Sequence, residues 1–296
     1  MISKVNANVL LLIASMTWGI NPIFSKIAIE NIPDFCFVGL RFLLGAVVLG
    51  IVNFKVLMKI DRKHIRLAAI SSLFLFGAFS FETFGLRFVS PVKVGFLVSF
   101  ETVFIPVVFC LLQRNLMEKK NILNAFLAFA GLLFINFDGV SLVFNWGDLL
   151  VLTGALFYAF QVIYLGKIAN GIDGRIFISL QLFFVSVLGF VGGALFERSK
   201  MQFGIDMQSL YGLLFSGVIG AGFAYFIQTE AHKRISVIGA GVIYSSIPLF
   251  GVLGAWIINN ESLSIFSLVG IGIIILALLN SNLDISKLFR RKVADI

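Results

Sequence analysis

Ten runs of about twenty apolar residues punctuate this chain, and nothing else in it limits the fold as severely. A helix needs about 20 mostly apolar residues to cross about 30 Å of hydrocarbon. The runs lie near 6–28, 35–54, 66–87, 92–113, 121–138, 148–166, 175–196, 208–230, 236–259 and 263–282. In lipid every backbone polar group must be satisfied internally, which leaves only helices and closed barrels. These runs are too long for barrel strands and lack the required alternation. The joining loops are too short to form a soluble domain. The expected class is therefore an all-α integral membrane protein of ten spans. Hydrophobic residues at 59% and charged residues at 13% agree, since a soluble domain carries about 25% charged residues. The first run, after Lys4, exceeds a signal-peptide core and lacks a small-residue cleavage site, so it is expected to stay as a span.

The net charge of +8 is a matter of topology rather than of nucleic acid. With the N-terminus inside, the inner loops and tail carry 17 Lys/Arg residues, including Lys55, Lys59, Arg62, Lys63, Arg114, Lys119, Lys233 and Arg290. The outer loops carry four, Arg87, Lys93, Arg198 and Lys200. This asymmetry predicts both termini on the cytoplasmic side of a cell membrane, here a bacterial plasma membrane. Cys36 and Cys110 offer no disulfide framework or metal spacing. His64 and His232 are isolated in the sequence, so neither a metal site nor a cofactor is expected.

Self-comparison adds a second level. A shift of 140 places Trp18 on Tyr158, Asn21 on Gln161 and Leu40-Arg41 on Leu180-Gln181. A shift of 146 places Phe79 on Tyr225, Glu82 on Gln228, Ser90 on Ser236, Gly95 on Gly241 and Ser99 on Ser245. Two five-span halves, 1–140 and 141–284, are therefore expected, followed by a basic tail at 285–296. An odd number of spans per half inverts the second half in the membrane, an arrangement that places a substrate site near the midplane between halves.

The motifs in these spans are similar to those of a known family. TWGINPIFSKIA, GLRFLLGAVVL, LRFVSPVKVGFLVSFETVFIPVVFCLL and GVIYSSIPLFGVLGAWIINNESLS resemble, in order and spacing, the EamA-type permeases of the drug/metabolite transporter superfamily. Glu261 stands where those permeases close the ninth helix with an acidic residue. The likeness covers nearly the whole chain. It implies a ten-helix fold that exports or exchanges small metabolites, amino acids among them. The family's Glu-Pro pair is split here: Thr102 follows Glu101, and Ile247 precedes Pro248. Only the general location of the cavity carries over, not individual residue roles.

Candidate site residues follow from chemistry that hydrocarbon makes costly. Pro22, Pro106 and Pro248 lie inside spans and would free the carbonyls of Trp18, Thr102 and Tyr244. Such carbonyls need protein or cavity water. Trp18 and Asn21 share a helix face, as do Phe79 with Glu82, Tyr158 with Gln161, and Tyr225 with Gln228. These four aromatic-plus-polar pairs would line a pseudo-symmetric pocket, joined by Ser99, Ser245, Tyr244 and Gln181. Ionisable residues inside spans mark function by default. At 1.5 Å per residue, Glu82 lies roughly 6 Å, Arg41 about 9 Å and Glu101 about 13 Å from the outer face. Arg41 is open to a structural ion pair with either carboxylate or to a substrate contact. Glu101, the deepest, is the candidate coupling residue, open to proton carriage, to binding a substrate ammonium, or to service as a neutral acid. Lys26 can snorkel to the outer face. GVIGAGFAYF and the pair Gly239/Gly241 allow close helix approach.

The expected activity is alternating-access transport of small polar or amphipathic metabolites, amino acids favoured, by a monomer or homodimer in the bilayer, with protons as a candidate coupling partner. The first and sixth, third and eighth, and fourth and ninth spans should line the cavity. A nucleotide-sugar or sugar-phosphate exchanger would need several converging cations, and only Arg41 and Lys26 are available. A membrane enzyme would need a His, Asp or Cys cluster at one face, and no catalytic constellation is found. A scramblase or assembly factor is the alternative of a different class.

Overall fold

A computed structural model describes residues 4–113, 119–135, 145–200, 204–259 and 265–282. Glu261 and the basic tail from 285 lie outside the described residues. Within them the protein is helical throughout, with no strand. Helices α1 (Lys4–Ile29), α2 (Asp34–Val52), the single turn α3 (Phe54–Leu57) and α4 (Arg62–Gly85) come first. Then follow α5 (Pro91–Val98), α6 (Glu101–Gln113), α7 (Lys119–Ile135), α8 (Trp146–Ile168) and α9 (Gly174–Phe196). Next, α10 (Met207–Leu214) continues through a π-helical segment, Phe215–Phe223, into α11 (Ala224–Ala231). The described chain closes with α12 (Val237–Tyr244), α13 (Ile247–Asn259) and α14 (Ile265–Asn282).

Among the described residues seven stretches are long and apolar enough to cross a membrane, counting α5–α6 and α10–α11 as one each. The fifth, ninth and tenth runs of the sequence correspond to shorter apolar helices, Ile122–Gly131, Gly239–Gly251 and Leu268–Ala277. The distribution of polarity also suits lipid. Leu111, Leu195, Phe196, Val52 and Phe126 are exposed, whereas Asn21, Arg41, Glu101, Gln161, Gln181, Gln228 and His232 are buried. Water would favour the reverse.

Two breaks organise the interior. One separates α5 from α6 at Ser99-Phe100, the other separates α12 from α13 at Ser245-Ser246, and they are 146 positions apart. Each broken span begins at a serine cap: Lys93 N–H donates to Ser90 Oγ at 3.3 Å, and Gly239 N–H to Ser236 Oγ at 3.1 Å. Removing a cap of this kind costs about 1 kcal/mol. At the breaks, hydroxyls take up carbonyls. Ser99 Oγ donates to Gly95 O (2.7 Å), Ser245 Oγ to Val242 O (2.6 Å) and Ser246 Oγ to Ile243 O (2.7 Å). Pro248 falls in the first turn of α13, where a missing N–H costs nothing, just after Tyr244 ends α12. Pro106 sits within α6, which runs through it, so no N–H four residues on meets the carbonyl of Thr102, and the break between α5 and α6 precedes Thr102.

Helix pairing is reciprocal. Helix α4 packs on α8 and the π segment on α1; α4 also packs on α9, and the π segment on α2. Similarly α1 meets α13 as α8 meets α6, while α2–α9 and α7–α14 pair with each other. Glycines let backbones touch where these pairs cross. A Cβ on Gly189 would lie 2.5 Å from Gly39 N, and one on Gly217 would lie 2.9 Å from Arg41 O.

Candidate functional site

Where the two breaks and the π segment converge, α1, α2, α4, α5, α6, α8, α11 and α13 enclose a cavity of about 40 Å³. That is room for a few waters, so the site must widen to take a metabolite. Its charged lining is Arg41, Glu82 and Glu101, and its aromatic lining is Trp18, Phe79, Tyr158 and Tyr225. Backbone-level access comes from Gly95, where an added Cβ would meet nothing within 4 Å.

Arg41 reaches the cavity from α2 and is 1% exposed. Among the described residues no carboxylate lies within ion-pair distance (4.0 Å) of it. The ion pair left open by the sequence is therefore not made. Arg41 is oriented by an amide instead. With the Asn21 amide placed so that both its ends are satisfied, Oδ1 accepts from Arg41 Nη2 at 3.1 Å and Nη1 at 3.3 Å, and from Ser25 Oγ at 3.1 Å. Asn21 Nδ2 then donates to Ser216 Oγ at 3.1 Å. The guanidinium lies 4.3 Å from the Phe79 ring centroid and 5.4 Å from that of Phe42, in cation–π range. Its Nε has no hydrogen-bond partner among the described residues.

The carboxylates are held more loosely. Glu101 is 1% exposed at the start of α6, and among the described residues its Oε1 and the Thr102 hydroxyl both lack partners. Glu82 is half-buried on α4. Both line the same cavity as Arg41, and among the described residues neither lies within ion-pair distance of a basic side chain. The other nearby cations are committed elsewhere. Lys93 Nζ donates to Asp148 at 2.8 Å, and Lys26 Nζ to Leu86 O at 2.5 Å.

Aromatic rings form the opposite wall. Trp18 is surrounded by Tyr225, Tyr244 and Tyr158 at centroid distances of 5.1, 5.7 and 6.1 Å. Its indole N–H donates to Gly220 O in the π segment at 3.0 Å. Behind it, Gln228 Nε2 donates to Tyr158 Oη (2.9 Å) and Tyr244 Oη (3.1 Å), and His232 Nε2 lies 3.1 Å from Tyr244 Oη. Tyr225 lines the cavity, and its hydroxyl has no partner among the described residues.

Comparison with known proteins settles the family. The model of the EamA-like transporter family matches residues 5–137 and again residues 145–283. The chain belongs to this family. Relatives of this EamA-like protein include the uncharacterized transporters YoaV and YvbV of Bacillus subtilis (strain 168). Each is 26% identical, over 86% and 92% of this chain and 89% and 90% of its own. An uncharacterized transporter of Archaeoglobus fulgidus is 24% identical over 94% of this chain and 86% of its own. A solved crystal structure, 15% identical, superposes with a TM-score of 0.77 over 98% of this chain and 99% of that one, and so shares the fold. The EamA-like chain is thus a multi-pass membrane transporter.

Eight of the fourteen side chains singled out from the sequence line the cavity: Trp18, Asn21, Arg41, Phe79, Glu82, Glu101, Tyr158 and Tyr225. Pro22 lines it too, whereas Pro106 and Pro248 do not. The other six lie behind the wall. Ser99 and Ser245 bond backbone carbonyls, Gln181 Nε2 donates to Ser71 Oγ at 2.9 Å, and Gln228 and Tyr244 belong to the tyrosine network. Gln161 is buried with neither amide atom bonded. Three participants were missed. Ser25 and Ser216 carried no signal beyond being small polar residues in apolar runs. His232 sits at a span end that reads as a basic loop.

Proposed function

We propose that this EamA-like protein is a secondary transporter for small amino-acid-like metabolites, working by alternating access as an exporter or exchanger in the cell membrane. The observation that carries the reading is the cavity itself. It joins one guanidinium and two carboxyl groups, none ion-paired to another, against a wall of four aromatic rings. A site of mixed charge and π faces suits a molecule bearing a carboxylate and an ammonium group. Arg41 meets the carboxylate, and the carboxyl side of the cavity, with Glu101 deepest, meets the ammonium.

The frame for this motion is ten spans in two inverted halves with both termini cytoplasmic. Two matches to one family model, two breaks 146 positions apart and the reciprocal pairing of helices support it. The charge asymmetry of the loops supports the orientation. A phosphate-bearing substrate is disfavoured, because among the described residues Arg41 is the only cation lining the cavity, and Lys26 is engaged with Leu86 O.

The test is uptake and counterflow in proteoliposomes over a panel with amino acids first, with and without a pH gradient. At least one amino acid should be carried, and Arg41→Ala and Glu101→Gln should each lower its rate at least about tenfold, near 1.4 kcal/mol of transition-state stabilisation. Unchanged transport of every carried substrate in both variants, at equal protein in the vesicles, would sink the proposal. Acceleration by a proton gradient that vanishes in Glu101→Gln would assign proton coupling to that residue.

A further inference from the structure

Binding a simple zwitterion through Arg41 and one carboxylate leaves the other carboxylate unmatched. From this surplus we infer that the preferred substrate is a dibasic amino acid, one carboxylate with two cationic groups, and that Glu101 receives the second cation. The inference rests on the reading of the cavity as the transport site.

The charged lining is the first support. Arg41, Glu82 and Glu101 reach one cavity from three different helices, and among the described residues no carboxylate lies within 4.0 Å of the Arg41 guanidinium. An α-carboxylate on Arg41, an α-ammonium on Glu82 and a side-chain cation on Glu101 would use all three groups. The count is the second support. With both carboxyl groups ionised the cavity lining carries one excess negative charge, which a zwitterion cannot cancel and a net monocation can. Excess charge in a membrane interior is costly, so the neutralised complex is favoured.

The surroundings of Glu101 form the third support. Glu101 lines the cavity, and its Oε1 is buried without a partner among the described residues, so an incoming ammonium or guanidinium would find an acceptor that no helix contact occupies. Lys93 and Lys26, the cations of the neighbouring segments, are held by Asp148 and by Leu86 O and do not supply that charge. Trp18, Tyr158 and Tyr225 offer faces along which a methylene stem can lie, and those faces also attract a cation.

Lysine and norleucine share the same four-carbon side chain and differ only in the terminal ammonium that lysine carries, so their ratio isolates the group assigned to Glu101. Counterflow in proteoliposomes should carry lysine at least about tenfold faster than norleucine. Glu101→Gln should bring that ratio near one, and Glu101→Asp, which keeps the charge, should restore much of it. Arg41→Ala should slow both substrates. Monodisperse elution and an unchanged thermal midpoint of each variant guard against misfolding. Equal rates for the two amino acids in the wild type, or a lysine preference that survives Glu101→Gln, overturn the inference while leaving amino-acid transport standing. So does norleucine uptake accompanied by one proton, read by a trapped pH dye, with lysine excluded. Failure to carry any amino acid of the wider panel would overturn the transport reading and this one together.

Discussion

Replacing Asn21 by Asp separates the orienting role of this residue from its role in packing. In the native site the Asn21 carbonyl accepts from both Arg41 terminal nitrogens, at 3.1 and 3.3 Å, and its amide donates to Ser216. A carboxylate of the same shape would face the guanidinium at ion-pair distance, and the hydroxyls of Ser25 and Ser216 can both donate to it. At about 4 Å and an effective dielectric constant near 20, the added attraction is about 4 kcal/mol. Desolvating the new carboxylate removes most of that. Asn21→Asp should therefore be at least as stable as the wild type. Asn21→Ala leaves a buried guanidinium without its acceptor and should lose about 1.5–3 kcal/mol. Both should impair transport, for opposite reasons. In Asn21→Asp the substrate carboxylate must compete with an internal one, raising KM at least about tenfold for each 1.4 kcal/mol of competition. In Asn21→Ala the guanidinium is no longer oriented. Thermal midpoints in detergent and counterflow KM values provide the readout. An Asn21→Asp protein with native KM, or one less stable than Asn21→Ala, would refute the claim that Arg41 is kept free of carboxylates for the substrate.

Other perturbations probe the surrounding shell. A Cβ on Gly220 would lie 2.8 Å from the Asn21 side-chain amide, so Gly220→Ala should shift that amide and raise KM several-fold with little change in thermal midpoint. The Lys93–Asp148 pair is buried, and Lys93→Met alone should cost about 3–5 kcal/mol by leaving Asp148 uncompensated. The Lys93→Met, Asp148→Asn double variant should lose less than the sum of the singles in a thermal cycle. Burial lowers His232, just beyond α11, from 6.5 to about 4. The unfolded chain then takes up a proton that the folded one refuses, so stability should fall as pH drops from about 6.5 towards 4, by up to about 3 kcal/mol. His232→Gln should flatten that pH dependence of the thermal midpoint.

The helical fold and much of the site were legible because lipid makes departures from apolarity costly. Arg41, Glu82, Glu101 and Trp18 stand out from their runs, and all four reach one cavity. The breaks at Ser99 and Ser245 were legible as an offset of 146. Their position was not, since Pro106 pointed instead to the carbonyl of Thr102. A helix can absorb a proline where its neighbours take up the slack, and serine hydroxyls are what close the actual breaks. The π segment left no readable trace either. Its glycines, Gly217, Gly220 and Gly222, signalled close packing but not which backbone oxygen would receive the Trp18 N–H. Contacts such as Asn21 with Ser216 depend on which face of α1 meets the π segment, and one-dimensional spacing carries no such information.

The equivalent positions divide their labour. Each charged residue of the cavity has a neutral counterpart 140 or 146 positions on: Gln181 for Arg41, Gln228 for Glu82 and Ile247 for Glu101. The neutral set is occupied with holding helices together. Gln181 ties α9 to α4 through Ser71, and Gln228 ties α11 to α8 and α12 through Tyr158 and Tyr244. Among the described residues the charged set makes no bond to another helix except through Asn21, and it lines the cavity. If the charged residues also served as fasteners, every substrate event would have to break a structural contact in hydrocarbon. Placing fasteners in one half and free charge in the other avoids that conflict. In the proposed transport cycle a near-symmetric frame would rock between two related states while keeping a single, strongly asymmetric binding chemistry at its centre.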